Sequence, residues 1–122
     1  MTRKAFEKSV QQALNQIPPD LQAALKNLAI VVKDRPGPET NEEGIDSEEE
    51  TLYGLYCGLP LPERTASDSG GLPDVIYLYQ RPLEEDFPDR DDLIREIEIT
   101  FVHEIAHYFG FDEETLERYG YE

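Results

Sequence analysis

The sequence predicts an α+β fold. Three observations predict it. Apolar residues recur at helical spacing near both ends of the chain. Three short runs rich in β-branched and aromatic residues lie between them. Proline and glycine clusters separate these segments. The chain has 122 residues, 39% hydrophobic and 10% aromatic. That is enough for one folded domain over residues 1–122 with a modest core.

The first helix is expected from about Thr2 to Gln16. Phe6, Val10, Leu14 and Ile17 recur at spacings of four and three, forming one apolar stripe. Pro18-Pro19 stops it, and Asp20 is placed to cap a short turn over Leu21 to Leu25. Leu28-Ala29-Ile30-Val31-Val32 is the first strand. From Asp34 to Thr51 the composition changes: Pro36, Gly37 and Pro38 break structure and most of Glu39 to Glu50 is acidic. This predicts an exposed loop at about 34–51. It lacks the spaced oxygen ligands and glycine of a calcium loop.

Leu52 to Gly58 is the second strand, ended by Pro60 and Pro62, and a polar loop from Glu63 to Gly71 follows. Asp74 to Tyr79 is the third strand, closed by Pro82. Its two faces both carry apolar side chains, which predicts packing on both sides. If it lies at a sheet edge, it is suited to pair with an extended peptide. The longest helix opens at Pro88 or Asp89, where Asp89, Asp91 and Asp92 complement the helix dipole. Leu93, Ile94, Ile97, Phe101, Ile105 and Tyr108 give it a wide apolar stripe as far as Phe109, with Gly110 as a left-handed terminator. A short helix over Glu114 to Arg118 closes the chain, and Tyr119 and Tyr121 are expected to pack its end.

The formal charge is −16, from 27 acidic and 11 basic residues. Such a surface repels nucleic acid phosphates and anionic membranes and attracts a basic or neutral peptide. No apolar run reaches the ~20 residues of a membrane span. The N-terminal residues lack the apolar core of a signal peptide. Cys57 is the only cysteine and fits a small buried residue rather than a nucleophile. These features together point to a cytoplasmic protein.

The chemistry is concentrated in His103-Glu104-Ile105-Ala106-His107, an HExxH motif that holds both histidines of the chain. Four residues apart on a helix, the two imidazoles share one face and can hold one metal ion. Glu104 can then reach a water on that ion and serve as general base. A catalytic zinc usually takes three protein ligands. With no further histidine and no second cysteine, the third must be a carboxylate. Gly110 allows the chain to reverse, which brings Glu113 back toward the metal, with Asp112 as runner-up. Zinc is the default for such a set, with manganese or iron as other occupants.

The stretch His103 to Glu113 resembles the extended HExxHxxGxxD motif of the minimal zincin-like metallopeptidases, with glutamate at the last position where the family usually has aspartate. The segments Leu55 to Leu61, Leu72 to Tyr79 and Arg81-Pro82-Leu83 are similar to the family as well. The resemblance implies a minimal zincin-like fold: a small mixed sheet packed on an N-terminal helix and a long active-site helix, with a short C-terminal helix. It implies His103 and His107 as zinc ligands and Glu104 as the catalytic base. The methionine turn of the larger metzincin group has no counterpart, since Met1 is the only methionine. The activity implied is peptide-bond hydrolysis by metal-activated water. The alternatives are a non-catalytic zincin-like metal-binding or interaction protein, and a metal-free interaction module.

Overall fold

In a computed structural model of the chain, residues 1–23, 28–37, 53–57, 74–109 and 112–120 are described. Helix α1 spans Arg3–Gln16. Thr2 caps it, its hydroxyl accepting the Ala5 N–H at 3.1 Å. Its buried face carries Phe6, Val10 and Ala13, and Ile17 at its C-cap is also buried. This is the predicted stripe, with Ala13 packing more deeply than Leu14.

Helix α2 is a single turn, Pro19–Gln22, entered through Pro18. Asp20 therefore lies inside the first turn and does not cap it. Proline is compatible with a first helical position because the N–H it lacks has no intrahelical partner there. Gln22 instead ties the turn back to α1, its amide donating to the carbonyls of Leu14 and Ile17 at 3.0 and 2.8 Å.

Strands β1 (Leu28–Lys33), β2 (Gly54–Cys57) and β3 (Asp74–Tyr79) form one sheet in the order β1-β3-β2. β1 runs parallel to β3, with Ile30 opposite Ile76. β2 runs antiparallel to β3, with Tyr56 opposite Ile76. The sheet is thus mixed, as expected. Its central strand is β3, whose two sides are both occupied, so it is not an edge to which a peptide can add. Among the described residues β2 has a neighbour on one side only. The residues of the acidic loop beyond 37 and those of the loop from Glu63 to Gly71 lie outside the described residues.

The segment after β3 departs from expectation. Pro82 does not end structure but sits inside a helix, α3, over Gln80–Asp86. Read as a breaker, Pro82 concealed this helix; as its third residue it removes no helical hydrogen bond. Helix α4 spans Arg90–Phe109, and Asp89 precedes it, its carboxylate accepting the N–H groups of Asp91 and Asp92 at 3.2 Å each. Leu93, Ile97, Phe101, Val102 and Ile105 are all buried along it. They close a core with Phe6 and Val10 of α1 and with Ile76 and Leu78 of β3. Helix α5, Glu113–Arg118, follows. After it, Tyr119 packs against the core and its hydroxyl donates to Asp20 at 2.7 Å. That bond raises the tyrosine pKa and ties the chain's end to α2, the packing role expected for it. No helix among the described residues is long and apolar enough to cross a membrane.

Candidate metal centre

Uninterrupted helix from Arg90 to Phe109 sets the geometry of the motif. His103 and His107 stand one turn apart on it, about 6 Å along the axis. Ile105 and Ala106, between them, are buried in the core side of the same turn. The helix therefore presents the motif while its other face is anchored by packing. The His107 side chain lies outside the described residues.

His103 is half-buried, and its Nε2 atom is inaccessible to solvent with no hydrogen-bond partner among the described residues. Buried polar atoms in folded proteins are nearly always satisfied. An imidazole nitrogen withdrawn from water and left without a protein partner is suited to a metal ion, for which it is the commonest ligand. Among the described residues, this one atom fits a metal.

Glu104 points elsewhere. Its Oε1 accepts the backbone N–H of Tyr56 in β2 at 2.7 Å. The pairing of β2 explains why that amide is available. The Tyr79 N–H donates to the Tyr53 carbonyl at 2.9 Å, so Tyr53 and Tyr79 form a hydrogen-bonded pair. Antiparallel alternation then makes Leu55–Tyr77 a hydrogen-bonded pair and Tyr56–Ile76 a non-bonded one. The Tyr56 amide consequently faces away from β3, toward the side where Glu104 meets it. The Tyr56 ring is buried, and its hydroxyl donates to Asp74 at 2.6 Å. This fixes β2 to the start of β3 from inside the core. Cys57, the next residue, is half-buried.

Asp112 is exposed and serves as the N-cap of α5. Its Oδ1 accepts the Thr115 N–H at 2.9 Å and the Thr115 hydroxyl at 2.8 Å. The backbone bond from Thr115, with its hydroxyl bond second, holds the carboxyl below its usual pKa. Glu113 is the first residue of α5; its side chain, like Gly110 and Phe111, is outside the described residues. Among the described residues no three His, Cys, Asp or Glu side chains come together as a metal cage.

Sequence reasoning missed two participants: the Tyr56 amide and Gly54. A backbone amide has no signature in sequence. Gly54 had one, since a glycine inside a strand marks close approach of another element.

A sequence model of a family described as zincin-like metallopeptidases matches residues 25–121. The chain belongs to that family. The match takes in all three strands, α3, α4 with the HExxH motif, and α5. In fold, the chain is similar to a solved conserved hypothetical protein from T. thermophilus. The TM-score is 0.55 and the identity 25%, over 96% of this chain and 98% of that one. No curated protein matches. The family is associated with zinc in general terms, and the zincin-like membership of this chain agrees with the resemblance carried by its motif.

Proposed function

We propose that this protein is a zinc-dependent peptidase whose metal is held by His103, His107 and Glu113, with Glu104 as general base. The observation that carries the reading is the buried Nε2 of His103, which has no hydrogen-bond partner among the described residues and lies toward the C-terminal end of the HExxH helix. Glu113 is preferred to Asp112 because the Asp112 carboxylate already caps α5.

A bound zinc ion supplies Lewis acidity, polarising the scissile carbonyl and making water a nucleophile near neutral pH. Glu104 takes the proton from the attacking water and returns one to the departing amine. β2, which among the described residues has a neighbour on one side only, takes the part that the sequence suggested for β3, a peptide pairing there taking the Tyr56 N–H over from Glu104. The charge of −16 favours a basic or neutral peptide over nucleic acid or an anionic membrane. The single cysteine suits the reducing cytosol.

A second reading is a non-catalytic zincin-like protein in which metal supports folding or partner binding. It is favoured by the Glu104–Tyr56 bond, which makes the glutamate a brace between helix and strand. The two part on Glu104→Gln, assayed on zinc-loaded protein. A peptidase loses hydrolysis in this variant and keeps its metal. Failure of the fully zinc-loaded wild type to cleave anything in a broad peptide library removes the peptidase reading.

A further inference from the structure

One helical turn before Glu104, α4 meets β2 at a second point. A Cβ placed on Gly54 would lie 2.6 Å from Thr100 Cγ2 and 2.9 Å from the Tyr77 carbonyl oxygen. Thr100 is buried in this contact. Only a hydrogen fits between strand and helix here.

The two contacts are consecutive steps of one interface. From Gly54 to Tyr56 a strand advances about 7 Å. From Thr100 to Glu104 a helix advances about 6 Å. β2 and α4 therefore run side by side in the same sense, and the contact at Gly54 fixes their separation just before the Tyr56 N–H reaches Glu104.

We propose that Gly54 is a positioning residue for Glu104: its missing side chain lets β2 settle against Thr100, and that depth brings the Tyr56 amide within bonding distance of the carboxylate. The inference rests on Glu104 being the general base only for its catalytic consequence. The geometric part stands independently. With Gly54 in place the carboxylate is held at one point of the strand's outer side. With β2 displaced outward, the bond lengthens and Glu104 is free to take other rotamers.

The test is hydrogen exchange of the Tyr56 amide, followed by NMR on the full chain. The Tyr79 amide, bonded to Tyr53 within the sheet, serves as internal control. An outward strand amide ordinarily exchanges fast; held by a carboxylate it is protected. Glu104→Gln and Gly54→Ala are each expected to speed Tyr56 exchange about tenfold or more relative to Tyr79, the worth of a charged hydrogen bond. Should Gly54→Ala fail to fold, Thr100→Ile presses on the same contact from the helix side and is expected to give the same selective loss. Equal loss at Tyr56 and Tyr79 would mean general loosening and overturns the proposal. So does unchanged Tyr56 protection in folded Gly54→Ala or in folded Thr100→Ile.

On zinc-loaded protein, Gly54→Ala is expected to lower kcat with metal content and KM held near wild type. If no peptide is cleaved by the wild type while the exchange pattern holds, the peptidase reading fails and the positioning role stands. If peptides are cleaved and Tyr56 exchange ignores Gly54, the reverse follows.

Discussion

Gln80 and His103 are both polar side chains withdrawn into the protein, and their surroundings differ completely. Gln80, at the start of α3, is 1% exposed. Its Oε1 accepts the Arg3 Nε–H at 2.6 Å, and its amide donates to Glu84 at 2.8 Å and to the Met1 carbonyl at 3.2 Å. Arg3 goes on to the Val32 carbonyl at 2.9 Å and to Asp34. One glutamine thus ties α1, the end of β1 and α3 together, and each of its polar atoms is satisfied from within the chain. His103 Nε2 is equally withdrawn from water and has no such partner among the described residues. Satisfied polar burial holds a fold together. Unsatisfied polar burial costs free energy unless something outside the chain completes it.

The sharpest way to break this comparison is His103→Ala. Metal content of freshly purified protein should fall from about one zinc per chain to near none. Stability of the metal-free protein should change by less than about 1 kcal/mol, because the imidazole removed there is unsatisfied. Metal analysis and urea unfolding measure the two. His107→Ala should lose metal as well, and equal metal in that variant and the wild type would remove the site. Next in size is Gln80→Ala. It should destabilise by roughly 1–3 kcal/mol, the usual effect of stripping partners from a buried hydrogen-bonded network. The loss should be the same with and without metal; a loss confined to the metal-loaded form would contradict the structural role of Gln80.

A smaller effect concerns Tyr53, whose hydroxyl donates to Asp86 and whose ring meets Phe87 edge-on at 5.5 Å. The bond to Asp86 pushes its pKa up to about 12 from 10.0. The folded state therefore binds this proton more tightly than the unfolded chain. The stabilisation is fully present below pH 10.0 and is lost as pH rises through about 12. Tyr53→Phe should remove this part of the alkaline loss, as seen by comparing unfolding midpoints of the two proteins across that window. The smallest effect is expected for Asp112→Ala. Loss of an exposed cap lowers the unfolding midpoint slightly. Wild-type zinc content in this variant would support Glu113 over Asp112 as the third ligand; loss of zinc would reverse that choice. In the wild type, the depressed Asp112 pKa makes its contribution present above the unfolded value of 3.8 and lost as pH falls through the folded one.

Much of the fold was legible because it depends on local periodicity. The stripe of Leu93, Ile97, Phe101 and Ile105 forecast a core-facing helix ending near Phe109, and the helix ends at Phe109. Three strands were placed within a residue or two of their positions. α3 was not legible because Pro82 reads as a break when its place in a first turn is unknown. The order of the strands was not legible either. β3 looked available for a peptide from its side chains, and only its pairing with both β1 and β2 shows that it is the centre of the sheet.

By itself, then, the sequence determined the α+β composition and the motif: two histidines at a spacing that any α-helix turns to one face, with a glutamate beside the first. It did so because helical spacing is a local property of the backbone. Tertiary structure alone decided which polar atoms are satisfied. Gln80 meets Arg3, 77 residues away. Glu104 meets the amide of Tyr56, 48 residues away, across a gap that Gly54 keeps narrow. These are long-range contacts between side chains and backbone, set by packing depth and strand order, and no local pattern of residues encodes them.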